Sequence, residues 1–163
     1  MPPRWFIRAF WSTHRAIYWV TGGRLGLWRA KAKRWGTMRV TTTGRRSGKR
    51  RSAIVGYFED GPNLVTLAMN GWAEGEPSWW LNLRAHPDAT VDIVGESRAM
   101  RARTAVGEER TRLWNRWREM GDDVDAFAKL RSSETAVVVL EPRGISDTAP
   151  VSSRTASPTD RVL

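Results

Sequence analysis

Short apolar runs separated by turn signals constrain the fold of this chain more than any other sequence feature. Two such runs flank Asp60-Gly61-Pro62-Asn63, and two more flank Gly95-Glu96, which are both patterns typical of hairpins. Hairpin strands are antiparallel, and they do not alternate with long helices here, which argues against a doubly wound sheet. The predicted strands are 38–43, 53–58, 64–69, 90–94, 98–105 and 136–140.

Short helices are predicted between these strands. Pro77 suits a first helical position, and His86-Pro87 ends the helix 78–85, because a residue before proline is disfavoured in helical geometry. Residues 107–120 form an amphipathic pattern, and 127–131 form a further helical turn. The fold class is therefore mainly β (α+β), a small closed or nearly closed antiparallel β-barrel with short flanking helices.

The 163 residues are enough for one domain with its own core. We expect an N-terminal amphipathic helix and basic connector over 1–35, a barrel domain over 36–142 and a disordered Ser-, Thr- and Pro-rich tail over 143–163. The helix at 4–20 mixes Trp, Phe, Tyr and Arg without an acid. That composition suits a membrane interface, a helix packed on the domain, or one whose aromatic side chains cover a pocket.

Positive charge is concentrated in the first third of the chain. Residues 1–58 carry 14 Lys and Arg and no acid, whereas 59–163 carry 13 Lys and Arg and 17 acids; the sum, +14 − 4, is the net charge of +10. Such a field attracts nucleic acid, an anionic membrane surface or an anionic small molecule. We expect no nucleic-acid partner, because no readout module is visible.

The most basic segment is TTTGRRSGKRRS at 41–52, which we call the basic turn. Its glycines allow close backbone approach, and its arginine side chains can bind phosphate or carboxylate in a bidentate manner. Only three residues separate Gly44 from Gly48, and Arg50 follows Lys49, so the spacing excludes a nucleotide-binding P-loop.

Other chemistries find little support in the sequence. There is no cysteine, and His14 and His86 are the two histidines, so no metal site is expected. No hydrolase triad, pair of carboxylates or membrane-spanning stretch is recognisable. We expect a cytoplasmic protein, with peripheral attachment to the inner face of the membrane as an alternative. A redox cofactor would supply the chemistry that the side chains lack.

Three segments together resemble the deazaflavin (coenzyme F-420)-dependent nitroreductase and quinone reductase family, split-β-barrel oxidoreductases of actinobacteria. They are TTTGRRSGKRR at 41–51, LVTLAMNG at 64–71 and EPSWWLNLRAHPDATV at 76–91. The resemblance runs from about Trp19 to Pro142. It implies hydride transfer from a reduced coenzyme that carries a ring, a phosphate and a tail of glutamates, with flavin mononucleotide as the alternative cofactor.

The resemblance also implies which residues bind the cofactor. The basic turn would hold the phosphate and the glutamate tail, the end of the third strand would lie along the ring, and the segment after it would line the site. The implied cofactor-binding residues are Arg45, Arg46, Ser47, Lys49, Arg51, Ala68, Met69, Asn70, Gly71, Pro77, Trp79 and Asn82. No side chain is expected to be catalytic, because the cofactor carries the hydride.

The acceptor side differs from the nitroimidazole-reducing relatives. Val124 and Phe127 stand where those relatives have tyrosines, and Trp11 of the N-terminal helix is expected to help close the pocket. An aromatic, hydroxyl-poor pocket favours a quinone-like or other apolar acceptor over a nitro compound. The alternative function is a deazaflavin- or membrane-surface-binding protein without turnover, with contact through 4–20. A monomer and a homodimer both remain open.

Overall fold

The computed structural model describes residues 27–71, 74–120 and 123–144 of the chain. The predicted helix at 4–20, the predicted tail beyond 144 and Trp11 lie outside the described residues. The elements in chain order are β1 Gly36–Thr43, β2 Arg50–Asp60, β3 Asn63–Leu67, α1 Ser78–Ala85, β4 Asp88–Ile93, β5 Glu96–Thr104, α2 Gly107–Glu119, α3 Val124–Ala128 and β6 Val137–Pro142.

Six antiparallel strands close into one barrel in the order β1-β2-β3-β6-β5-β4. Hairpins join β1 to β2, β2 to β3 and β4 to β5, and β1 closes the barrel by pairing Val40 with Val91 of β4. β6 lies between β3 and β5. The predicted mainly-β barrel with short flanking helices is confirmed.

Alternation along the strands divides the core into two clusters. Leu64 and Val138 belong to a cluster with side chains from β1, β4, β5 and α1, whereas their neighbours Val65 and Val139 belong to a second cluster with α2 and α3. Since successive strand residues point to opposite faces, one set fills the barrel and the other receives the helices. α1 packs against β1, β2 and β5, and so stands beside the basic turn.

Two of the boundaries that differ from the sequence prediction have a clear physical cause. β2 begins at Arg50 and not at residue 53, because Arg50, Arg51 and Ser52 pair with the three threonines that end β1. The last helical turn covers Val124–Ala128 and not 127–131, because the side chain of Asp123 accepts the N–H of Ala126 at 3.0 Å and caps an earlier start.

The described part of the predicted connector packs on the barrel. Trp28 bridges Thr37 of β1, its ring donates to the carbonyl of Trp35 at 3.2 Å, and the two indoles lie 5.6 Å apart. The cations at 31–34 between the two tryptophans are exposed. In the part of the connector that the structure describes, these cations match a solvated segment, whereas the two tryptophans do not.

Candidate functional site: a cationic turn beside a helix and a strand end

The basic turn joins β1 to β2 as a compact loop. The N–H of Gly48 donates to the carbonyl of Gly44 at 2.8 Å, and the N–H of Gly44 donates to the carbonyl of Lys49 at 2.8 Å. Gly48 has a φ of 65°, a conformation that glycine adopts without a steric cost. This closure leaves the side chains of Arg45, Arg46 and Ser47 exposed.

Two backbone amides of the turn are free to bind a ligand. Arg45 N–H donates to Asn82 Oδ1 at 3.1 Å, but among the described residues nothing accepts from the N–H of Arg46 or Ser47. Successive free N–H groups in a tight turn form a concave anion-binding site. The turn therefore offers backbone donors as well as charge.

The cations of the turn also lack carboxylate partners. Many arginines elsewhere in the described chain are paired with a carboxylate, as Arg39 is with Asp92 at 2.7 Å and Arg84 with Glu76 at 2.7 Å. Within the described ranges no Asp or Glu lies within 4.0 Å of any charged group at Arg45, Arg46, Lys49, Arg50 or Arg51. A cluster of cations that avoids internal pairing suits an external polyanion.

Asn82 ties the turn to α1. Its Oδ1 accepts from the backbone N–H of Arg45 at 3.1 Å and from the Arg45 guanidinium at 3.4 Å, while its Nδ2 donates to Thr42 Oγ1 at 3.1 Å. Asn82 is only 5% exposed. Both the oxygen and the nitrogen of its amide are hydrogen-bonded within the protein, so Asn82 orients the basic turn relative to α1.

The chain turns at Ala68, directly after the end of β3. Ala68 is buried and donates its N–H to Ala136 at 2.9 Å, and the next N–H, that of Met69, folds back to the carbonyl of Leu67 at 2.9 Å. Met69 is half-buried, whereas Asn70 and Gly71 are exposed. The strand end thus offers backbone and small side chains to the surface.

The segment after this strand end begins α1. Pro77 is buried and is the N-cap of α1, one residue before the first helical position that the sequence pattern predicts for it, and His86 caps the other end of the helix. Trp79 and Trp80 have ring centroids 6.3 Å apart and both belong to the barrel core. Trp79 is 7% exposed, so most of its ring packs against protein.

A cavity of about 220 Å³ lies between the basic turn and β4, and its lining includes Thr41, Thr43, Arg50 and Thr90. A larger one of about 510 Å³ lies against α2, α3 and residues 129–135, and Trp114 and Arg131 contribute to its wall. The smaller cavity has several polar lining residues and adjoins the cations of the basic turn. An anion bound by those cations would therefore lie next to this cavity.

The structure describes two of the three predicted acceptor residues. Val124 is 1% exposed and packs in the second core cluster, and Phe127 is half-buried on α3. Trp11 is outside the described residues. Their roles in acceptor binding stay predictions.

Sequence reasoning missed Arg131, which is 7% exposed and bonded to the carbonyls of Ala68 and Gly75, each at 3.0 Å. It stands in an unremarkable polar stretch, RSSET, and no periodicity or motif marks it. A contact across 63 positions of sequence gives no local signal.

The pKa shifts in the described chain mark structural pairs on the barrel flank. The Arg112 guanidinium bonds Asp60 at 2.8 and 2.9 Å and holds the pKa of that carboxyl below its ordinary value. Arg103 does the same for the pKa of Glu109. Burial raises the pKa of Tyr57, which lies inside the barrel. These groups stabilise the fold.

No group of three or more His, Cys, Asp and Glu residues in the ranges given above could hold a metal ion. Over the same ranges no helix is long and apolar enough to cross a bilayer.

Solved structures share this architecture. An F420-H2-dependent reductase, FDR-A, superposes with a TM-score of 0.59 at 26% identity, over 64% of this chain and 93% of that one. A protein solved as a domain-swapped dimer superposes with a TM-score of 0.60 at 23% identity, over 82% of this chain and 99% of its own, a likeness of fold alone.

Sequence relatives point the same way. A protein of Mycobacterium tuberculosis named after F420H(2)-dependent quinone reduction is 31% identical over 107 residues, which are 66% of this chain and 90% of the relative. An F420H(2)-dependent quinone reductase of the same organism is 31% identical over 80 residues, 49% of this chain and 52% of the relative. The family profile described as F420H(2)-dependent quinone reductase matches residues 11–142.

The closed barrel and the matching relatives place the protein among the small β-barrel oxidoreductases. The chain belongs to the F420H(2)-dependent quinone reductase family. It is therefore an oxidoreductase, its cofactor is coenzyme F-420, and its second substrate is a small-molecule acceptor.

The residues present fit this cofactor. A phosphate with a glutamate tail needs several cations and N–H donors that are not used internally, and the basic turn has both. The planar ring needs a flat, mostly apolar wall, which the half-buried Met69 and buried Ala68 can contribute.

Proposed function

We propose that this protein transfers a hydride from reduced coenzyme F-420 to a quinone-like acceptor. The observation that carries the proposal is the basic turn, whose five cations have no carboxylate partner among the described residues and stand beside two free backbone amides. A polyanionic cofactor is the ligand class that this arrangement suits best.

The proposed roles follow from the positions of the residues. Arg45, Arg46, Ser47 and Arg51 hold the phosphate, while Lys49, with its exposed ammonium group, lies nearer the glutamate tail. Asn82 keeps the turn in register with α1 through its bonds to Arg45 and Thr42.

The wall for the ring is formed by the end of β3 and the start of α1. The proposed lining residues are Ala68, Met69, Asn70, Gly71, Pro77 and Trp79. Small and apolar groups there let the ring approach the backbone closely and exclude water from one of its faces. The reduced deazaflavin supplies the hydride when it is bound.

The acceptor class is proposed from the residues of α3 and the segment after it. Phe127 is half-buried and provides apolar surface on α3, while Val124 packs in the core beneath it, and residues 123–135 contain no tyrosine that could donate a hydrogen bond to a nitro group. A quinone gains one hydride and one proton to become a hydroquinone, and the proton can come from solvent. The names of the relatives support the same acceptor class.

The test is anaerobic oxidation of the reduced coenzyme, followed by its returning absorbance, with menadione and a nitroimidazole offered separately. The proposal expects turnover with menadione that exceeds turnover with the nitro compound by tenfold or more. Coenzyme binding without oxidation by any acceptor would favour a non-catalytic carrier instead. A preference for the nitro compound would overturn the acceptor assignment.

Two finer proposals concern assembly and location. Peripheral membrane contact through residues 4–20 predicts that the full chain floats with anionic vesicles and that a chain lacking residues 1–20 does not. A homodimer predicts twice the monomer mass in sedimentation equilibrium.

A further inference from the structure

Arg131 is a buried cation without a counter-charge. It is 7% exposed, and no carboxylate of the described chain lies within 4.0 Å of it. Its Nη1 donates to the carbonyl of Ala68 at 3.0 Å and to Thr135 Oγ1 at 2.7 Å, and its Nη2 donates to the carbonyl of Gly75 at 3.0 Å. Its Nε is buried and has no acceptor among the residues that the structure describes.

Two of these acceptors belong to the chain that leads from β3 to α1. The Ala68 carbonyl lies at the turn of the strand end, and the Gly75 carbonyl lies just before Pro77. The next residue, Ser132, adds two bonds to the same loop: its N–H and its hydroxyl donate to the two carboxylate oxygens of Glu74, at 3.0 and 2.9 Å. The segment after α3 is therefore bonded to the proposed ring wall at Ala68 and to the loop before Pro77 at Glu74 and Gly75.

The charged groups around Arg131 do not neutralise it. Glu134 is paired with Arg110 at 2.6 Å, Asp125 is paired with Arg118 at 2.7 Å, and Lys129 carries a further positive charge. The Glu74 carboxylate is engaged by Ser132. Burying an unpaired cation is costly, and carbonyl groups compensate only part of that cost. Such a residue is expected where its charge serves the function.

We propose that Arg131 is a positioning residue for the deazaflavin ring: it holds in place the Ala68 carbonyl of the wall and the Gly75 carbonyl just before Pro77, and it sets a fixed positive charge behind the wall. This inference rests on the proposed function, because it takes the end of β3 as the wall for the ring. Arg131 acts through that wall and through its electric field, without contact to the reacting atoms.

A cation behind the wall affects any ionisable group of the bound ring. The oxidised coenzyme carries a ring hydroxyl whose ionisation changes its absorbance spectrum. A nearby positive charge favours the anionic form of that hydroxyl and lowers its pKa. The spectrum of the bound coenzyme therefore reports the charge of Arg131 separately from the stability of the fold.

The experiment compares two variants of the full chain, Arg131→Lys and Arg131→Gln. Each keeps a donor for the Ala68 carbonyl, but only the first keeps the charge. A pH titration of the bound, oxidised coenzyme should leave its apparent pKa nearly unchanged in Arg131→Lys and raise it by about one unit in Arg131→Gln. That is the size expected for one elementary charge about 10 Å away at an effective dielectric constant of about 20.

Ser132→Ala is the matched control, because it removes a bond to Glu74 and leaves the cation in place. It should not move the pKa of the bound coenzyme. The inference is overturned if Arg131→Lys and Arg131→Gln give the same pKa, or if Ser132→Ala shifts it as far as Arg131→Gln does, since the residue would then be merely structural.

A measurement on the unaltered protein covers the case in which Arg131→Gln does not fold. The pKa of the coenzyme bound to wild type should lie below that of the free coenzyme, and a value equal to or above it overturns the inference. Failure of the proposed function is a different result: wild type would then bind no coenzyme in a fluorescence titration.

Discussion

Asn82 Oδ1 accepts the backbone N–H of Arg45 at 3.1 Å, across 37 positions of sequence. The same side chain donates to Thr42 Oγ1 at 3.1 Å, just before the turn. One buried amide thus fixes the distance between α1, which leads from the proposed ring wall, and the basic turn, which is proposed to hold the phosphate. A cofactor with its ring and phosphate bound at two places requires that this distance be constant.

Replacing Asn82 by Leu should weaken coenzyme binding by about 10- to 30-fold, because its hydrogen bonds to Arg45 and Thr42, worth about 1 kcal/mol each, no longer order the turn. Fluorescence titration measures the dissociation constant, and circular dichroism measures Tm. Thr42→Val is the matched control, since it removes the acceptor for Asn82 Nδ2 and leaves the bond to Arg45. It should weaken binding less than Asn82→Leu. Equal effects would mean that the Arg45 bond contributes nothing to the site.

Arg46→Ala and Arg51→Ala should each raise the dissociation constant of coenzyme F-420 by about 10- to 100-fold, the range of a charge-assisted hydrogen bond of about 1.5–3 kcal/mol. Lys31→Ala and Lys33→Ala remove the same charge from exposed positions in the connector and serve as controls. They should change binding by less than threefold. If all four variants behave alike, long-range attraction and not the turn holds the anion.

Asp60→Asn should lower stability at neutral pH and flatten the loss of stability in acid. The pKa of Asp60 is lowered by its bonds to Arg112 and by the nearby Arg116. A depressed pKa contributes stability that is complete above the ordinary value of 3.8 and disappears as the pH falls through the folded-state pKa. Thermal melts from pH 7 to pH 2 measure this, and identical curves for wild type and variant would contradict it.

Gly36→Ala should destabilise the barrel by about 1–3 kcal/mol, because a Cβ there would overlap the backbone of residues 28–30. Gly144→Ala is the control, since a Cβ at that position meets nothing within 4 Å. Denaturant melts give both free energies of unfolding. A Gly36 variant as stable as the control would mean that residues 28–30 do not pack against β1.

Much of the fold follows from local sequence. The turn residues at Asp60-Gly61 and Gly95 and the alternation of apolar side chains specify hairpins, and hairpins are the principal connections of this barrel. The pairing of β1 with β4, which closes the barrel, is not local in sequence. Only the number of predicted strands indicates that the sheet closes. Similarly, the cations of the basic turn are visible in the sequence, whereas the absence of carboxylates around them depends on the fold.

Arg131 and Asn82 show why the rest of the site could not be predicted. A buried arginine looks like a surface arginine in a sequence, because its partners are carbonyls, which every residue has. The sequence resemblance marks Asn82 as a cofactor-site residue. Only the three-dimensional structure shows that its Oδ1 accepts from Arg45 and that its Nδ2 donates to Thr42. The boundary of α3 was misplaced because the cap at Asp123 outweighs the apolar pattern after it.

The binding of coenzyme F-420 by the basic turn is tested most directly by fluorescence titrations of the full chain. Coenzyme F-420 and flavin mononucleotide are titrated in parallel, at low and at moderate salt. The account predicts saturable binding of coenzyme F-420 at one site, weakened by salt, by Arg46→Ala and by Arg51→Ala, with much weaker binding of flavin mononucleotide. No binding of coenzyme F-420, or equal binding of both cofactors that is unaffected by the two substitutions, would contradict it.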